Sequence, residues 1–154
     1  MDGSRSVNNA LLEQKVYIRE WFPVKTACRA QGQIQVKSEV SQDLWKRLED
    51  AFLVHMEKLH KRQDISQLVP VYAFFRENNT VYSVMEYVKG MTLRELLSKQ
   101  NPLSLPVAEN IMEKLQGAVS VLHQNKIIHG NITPDNIILC QNGEVKLLDP
   151  SWSG

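Results

Sequence analysis

His129-Gly130-Asn131-Ile132-Thr133-Pro134-Asp135-Asn136 is the stretch on which the reading of this chain turns. It is rich in turn formers and has neither the alternation of a strand nor the periodicity of a helix. Upstream, Pro106 to Gln124 carries Ile111, Met112, Leu115, Ala118, Val119 and Leu122 on one helical stripe. Downstream, Ile137–Cys140 and Val145–Leu148 read as two short strands around the turn Gln141-Asn142-Gly143-Glu144, and the second strand ends at Asp149. A polar loop is therefore held between a long helix and a hairpin.

The chain has 154 residues, enough for a domain with a real core, and its 43% hydrophobic content excludes a disordered composition. With 18 basic against 17 acidic residues the net charge is +1. That balance offers no basic field for nucleic acid and no basic run for a membrane surface. Cys28 and Cys140 lie far apart without metal-ligand spacing and read as reduced thiols. The N-terminus lacks an apolar signal segment, and no apolar run approaches the roughly 20 residues of a membrane span. These features set the expectation of a soluble, cytoplasmic protein.

Other segments fill in an α+β order. Residues 1–10 are polar and read as loose. Val16-Tyr17-Ile18-Arg19-Glu20 is a strand, ended by Trp21-Phe22-Pro23. Ile34-Gln35-Val36 is a flap or edge strand. From Ser41, read as the N-cap, Leu44, Leu48, Ala51, Phe52, His55, Met56 and Leu59 recur at helical spacing to about His60. Leu68–Phe75 and Val81–Tyr87 form a hairpin across the polar loop Arg76-Glu77-Asn78-Asn79-Thr80. Gly90 is a break, and Thr92 with Glu95 caps a short helix, Leu93 to Ser98.

Three segments in this order resemble one family, the eukaryotic-like Ser/Thr protein kinases, in a bacterial branch. Val16-Tyr17-Ile18-Arg19 resembles the V-A-I-K strand, and Val84 to Leu93 resembles the gatekeeper and hinge running into a helix. His129 to Asn136, with Asp149, resembles the catalytic loop H-R-D-x-K-P-x-N followed by D-F-G. The resemblance covers about Val16 to Asp149. It implies a protein-kinase-like fold with a reduced N-lobe (antiparallel sheet and one helix) and the first part of a helical C-lobe. The expected divisions are 1–15 as a flexible N-terminus, 16–88 as N-lobe and 89–154 as partial C-lobe.

The resemblance also assigns positions. Asn131 stands where the family's catalytic Asp accepts a hydroxyl proton; neutral Asn can orient a hydroxyl but cannot take its proton. Thr133 replaces the loop Lys, and Gly130 replaces an Arg that binds an activation-loop phosphate. Asn136 and Asp149 remain; they either hold Mg²⁺ with ATP or serve the loop's own turns. Arg19 takes the place of the phosphate-binding Lys. Tyr17, two residues earlier on the same face, stands at the small residue over the adenine. It either fills the adenine space opposite Ile138 or packs elsewhere. Met85, Glu86 and Val88 fall in the hinge. For the helix partner of Arg19, Phe52 or His55 falls near the family's Glu, and Glu49 requires a shift of one turn.

No G-x-G-x-x-G occurs, and only Gly3 precedes the first strand. ATP and Mg²⁺ are therefore doubtful cofactors. The expected function is a pseudokinase acting as a binding or regulatory module. The alternatives are an active or weakly active Ser/Thr protein kinase fragment that binds ATP with Mg²⁺ and a scaffold that binds no nucleotide. Five residues follow Asp149. On this reading the stripe Ile111, Leu115, Val119 and Leu122 is incompletely covered and the 16–20 strand is an open sheet edge, so a protein partner or a second copy is expected there.

Overall fold

The computed structural model describes residues 5–9 and 14–148, which divide into two compact units. One unit holds the described residues up to Gln63 together with Pro70–Tyr87, and the other holds Asp64–Val69 with the described residues from Val88 onward. Among the described residues, no helix is long and apolar enough to cross a membrane.

The first unit is built on a four-stranded antiparallel sheet. Its strands are β1 (Arg5–Asn9), β2 (Gln14–Glu20), β5 (Val71–Glu77) and β6 (Thr80–Glu86), in the order β1-β2-β6-β5. The 16–20 strand is therefore not an open edge. Arg5 pairs with Ile18 and Asn9 with Gln14, so residues expected to be loose supply a neighbouring strand. Sheet pairing uses backbone groups that every non-proline residue carries, so a polar sequence does not prevent it.

The β5–β6 hairpin closes at Glu77 opposite Thr80, with Asn78 and Asn79 both at positive φ. The expected five-residue loop is thus a two-residue turn, because Asn tolerates the left-handed conformation that a tight hairpin needs. Thr80 and Glu77 join the strands instead. A second hairpin, β3 (Ala27–Ala30) with β4 (Gln33–Val36), turns through Gln31 and Gly32, again both at positive φ. Its first strand, Ala27-Cys28-Arg29-Ala30, lacks the β-branched signal that marked Ile34–Val36. The two hairpin tips are joined: the Ile34 amide donates to the Asn78 carbonyl at 3.0 Å, and Asn79 Nδ2 donates to the Ile34 carbonyl at 2.8 Å.

Helix α1 (Gln42–His60) starts at Ser41, whose hydroxyl accepts from the Leu44 amide at 3.1 Å. Its buried face is Trp45, Phe52, Met56 and Leu59. The helix is as expected, but its first turn buries Trp45 while Leu44 is exposed. The larger ring gains more by burial.

The second unit contains helix α2 (Leu93–Lys99), helix α3 (Leu105–Gln124) and a three-stranded antiparallel sheet β7-β8-β9. The strands are β7 (Gly90–Thr92), β8 (Ile137–Cys140) and β9 (Val145–Leu147). Thr92 caps α2 as expected, accepting from the Glu95 amide at 3.1 Å. Leu68 was expected inside a strand of the hairpin. It instead bridges Leu147 in parallel, and the Val69 amide donates to the Leu147 carbonyl at 3.0 Å. Pro70, which has no N–H, follows this bridge and the hairpin strand starts after it.

On α3, Ile111, Leu115, Ala118 and Leu122 are buried and β9 packs on the helix. The stripe Ile111, Leu115, Val119 and Leu122, expected to be incompletely covered, is therefore covered, with Val119 half-buried; Met112, next to Ile111, is exposed. Gly90 is fixed by its neighbour. A Cβ built there falls 2.2 Å from the Leu139 carbonyl oxygen and 2.9 Å from Cys140 Cα, both backbone atoms of the paired strand. Gly90→Ala is expected to force β7 off β8 and to lower stability by about 2 kcal/mol or more, read from the urea midpoint at unchanged slope.

Candidate functional site

The loop from His129 to Asn136 is a hydrogen-bonded frame. His129 is buried, and its Nε2 donates to the Leu148 carbonyl at 2.8 Å. Its Nδ1 accepts from the Asn131 amide at 3.2 Å. An imidazole that donates from one nitrogen and accepts at the other is the neutral tautomer with the proton on Nε2. Asn136, 2% exposed, donates from Nδ2 to the Asn131 carbonyl at 3.1 Å. Its own backbone carbonyl accepts from the Leu148 amide at 2.8 Å, and its amide donates to Thr133 O at 2.9 Å. The end of β9 is thus stapled to the loop by His129 and Asn136 together.

Between these anchors the chain faces outward. Gly130 lies at φ +76° with nothing within 4 Å of a built Cβ. That left-handed conformation is one an Arg would adopt only under strain. Asn131 and Thr133 are half-buried. Ile128, just before the loop, and Ile132, between Asn131 and Thr133, are 82% and 43% exposed. Arg94 on α2 holds the far end of the loop. Its Nε and Nη2 reach the two oxygens of Asp135 at 3.1 Å each, and its amide donates to the Pro134 carbonyl at 3.0 Å. The hydrogen bonds to Asp135, and secondarily the attraction of its charge, raise the Arg94 pKa above its ordinary value. Nothing in the spacing of positions 94 and 135 announced this pair.

Of the other expected site residues, Val88 and Ile138 are buried in the second unit, where Ile138 pairs with Thr92 and Lys146. Asp149 lies outside the described residues. Among the described residues, no cluster of three or more His, Cys, Asp or Glu is placed to hold a metal.

The first unit carries the remaining positions. Met85 is fully buried, with its Cα opposite Tyr17 and Val71. Glu86 is half-buried, and its amide donates to Pro70 O at 3.0 Å. Tyr17 packs on Tyr87, ring centroids 5.0 Å apart, and Lys15 Nζ lies 5.4 Å from the Tyr87 centroid. Strand alternation puts Lys15 and Tyr17 on one face, and both converge on Tyr87. Arg19 is half-buried opposite Ser83, whose hydroxyl donates to the Arg19 carbonyl at 3.4 Å. Of the three candidates on α1, Phe52 is buried against Trp21, His55 is half-buried, and Glu49 pairs with Arg76 on β5 at 3.3 Å.

Residues 24–151 match the model of the protein kinase domain. The chain belongs to the eukaryotic-like Ser/Thr protein kinase family. Its kinase relatives include serine/threonine-protein kinase PrkC of Bacillus subtilis, 41% identical over 86 residues, or 56% of this chain and 13% of that protein. PknA of Nostoc is 38% identical over 84 residues, 54% of this chain and 15% of PknA. Aurora kinase C of Mus musculus is 33% identical over 86 residues, 56% and 31% respectively. The apo form of PpkA-294 superposes with a TM-score of 0.74 at 25% identity, covering 91% of this chain and 50% of that one. The PknI kinase domain of Mycobacterium tuberculosis shares the fold, with a TM-score of 0.68 and coverage of 97% and 53%. The chain thus spans less than a third of these curated kinases and about half of the solved ones.

In this kinase loop the Asn136 side chain is the buried tie. Asn136→Ala is expected to cost about 1–3 kcal/mol, because it strips the Asn131 carbonyl of a donor inside the protein. Thr133→Ala, at a half-buried position, is expected to cost under about 1 kcal/mol. Chemical denaturation of the two variants side by side checks the contrast.

Proposed function

We propose that this protein kinase domain is catalytically silent and works as a binding or regulatory module. The observation that carries the reading is Asn131 at the base position of a loop whose frame is otherwise built. The Asn131 backbone is tied by His129 and Asn136, which supports reading its amide side chain at the position of the family's carboxylate. An amide can orient a hydroxyl but does not accept its proton. Thr133 supplies no cation for a transferred phosphoryl group, and Gly130 supplies none for a phosphorylated segment.

Nucleotide binding is a separate question from transfer. Asn136 and Asp149 are hard oxygen donors suited to Mg²⁺. With the Asn136 amide nitrogen given to Asn131, its oxygen is the atom that would hold the ion. A magnesium ion would neutralise the phosphates of ATP. By resemblance, Arg19, Met85, Glu86, Val88 and Ile138 each stand at a position that meets the nucleotide in the family. Tyr17 is the residue that stands against it, being far larger than the family's residue there. The partner of the module is a protein or a second copy. Ile128 before the loop and Ile132 within it replace the α3 stripe and the β2 edge as the surface that supports this.

Two measurements test the proposal. Radiolabel transfer from ATP to a generic protein acceptor is expected to equal a metal-free blank for the wild type; transfer above it overturns the silent reading. A thermal-shift titration with ATP and Mg²⁺ separates a nucleotide-binding module from a plain scaffold. Ligand at about 100 times Kd adds roughly 2.7 kcal/mol to the folded state. The wild type is expected to show little shift and Tyr17→Ala a larger one. Equal shifts in both remove Tyr17 as the obstruction.

A further inference from the structure

Tyr17 stands opposite Met85 in the β2–β6 ladder, so strand alternation puts Lys15, Tyr17, Met85 and Tyr87 on one face of the sheet. Along that face Ser83 and Met85 are each 1% exposed, whereas Tyr87 is half-buried. Tyr87 is the diagonal neighbour of Tyr17, a position within reach of an aromatic side chain. Their ring centroids lie 5.0 Å apart at an interplanar angle of 31°. That separation is within the range of favourable aromatic pairs. The Lys15 ammonium sits 5.4 Å from the Tyr87 centroid, close enough for a cation–π attraction. The backbone that carries both rings is tied. Val16 pairs with Glu86, and the Glu86 amide donates to the Pro70 carbonyl at 3.0 Å. Tyr17 and Tyr87 both belong to the first unit.

We infer that Tyr17 and Tyr87 form a two-ring gate, in which Tyr87 holds Tyr17 closed and a purine is admitted only when the rings part. The inference rests on the proposed reading of Tyr17 as the residue that stands against the nucleotide. It adds the residue that keeps Tyr17 there. A half-buried tyrosine has more than one staggered rotamer, so size alone makes an obstruction that a ligand pushes aside. A partner ring changes this. An aromatic pair favours its contact by about 2- to 13-fold beyond area burial. The Lys15 cation favours the Tyr87 ring in place by about a further 2- to 5-fold. A ligand that needs the parted state has its apparent Kd raised by the closed-to-open ratio. Tyr87 lies between the hinge positions Glu86 and Val88 and acts through Tyr17, as a positioning residue.

Titration of the intact chain with ATP and Mg²⁺, followed by thermal shift, tests the gate, with ring-proton NMR as a second readout. Tyr87→Leu keeps an apolar side chain and removes the ring. It is expected to lower the half-maximal ATP concentration by about fivefold or more relative to wild type. Tyr87→Phe keeps the ring and is expected to stay within about twofold of wild type. Tyr17→Ala is expected to gain at least as much as Tyr87→Leu. The double variant is expected to match Tyr17→Ala within about twofold, because both changes open one gate. A gain in Tyr17→Ala with none in Tyr87→Leu overturns the gate and leaves Tyr17 as an obstruction by itself. Gains that multiply in the double variant also overturn it, since Tyr87 then acts apart from Tyr17. No gain in any variant removes the obstruction and the gate together. In the NMR spectrum a nuclear Overhauser contact between the two rings is expected in wild type without nucleotide. Its absence overturns the gate whatever the titrations give, and this readout decides the matter if Tyr87→Leu fails to fold.

Discussion

The second unit depends on a buried polar staple. His129 and Asn136 both bond to backbone groups of Leu148: His129 donates Nε2–H to its carbonyl, and the Asn136 carbonyl accepts from its amide. Leu148 follows β9, which carries the Leu147 contact to Leu68 and Val69 and packs on α3. Inside a protein an unmade hydrogen bond costs the full desolvation of the group left behind. These bonds must therefore all form together, and once they do the loop has one shape. That shape does not require an Asp at position 131, because the contacts there are made by its backbone amide and carbonyl. The side chain at 131 can therefore change without dismantling the loop.

The fold was legible where side-chain pattern and backbone demand coincide. Helices α1 and α3 followed from a 3.6-residue period, and Ser41 and Thr92 were recognisable caps because their hydroxyls serve a fixed geometric need. Strand boundaries were less legible. The β1 pairing rests on backbone bonds that leave no mark in a polar sequence. The Asn78–Asn79 turn was hidden inside a run of polar residues, any of which could have belonged to a longer loop. Leu68 reads as a strand residue of the hairpin, but Pro70 separates it, and its bridge to Leu147 spans 79 positions (147 − 68) that no local pattern encodes.

The candidate site divides in the same way. Asn131, Thr133 and Asn136 could be named from sequence because the motif fixes their order along one loop. Arg94 could not. Its bond to Asp135 joins two charged residues common on any surface, and only the chain path of α2 against the loop selects them. Phe52 was left beside His55 and Glu49 because the count along a helix carries an uncertainty of one turn. Of the three, Phe52 is the one that packs its ring against Trp21, since the face of a helix that meets the sheet is decided by packing.

The joined tips of the two hairpins bear on how this protein can be handled. A two-residue hairpin turn is the usual place to insert a tag, a dye site or a reporter loop. The Asn78–Asn79 turn is exposed, yet the Asn78 carbonyl and the Asn79 side chain are both bonded to Ile34, a buried residue of the neighbouring hairpin. An insertion there would loosen two hairpins at once. The Gln31–Gly32 turn is equally exposed, but a Cβ at Gly32 meets nothing within 4 Å, and it is the site where added chain can leave the protein freely.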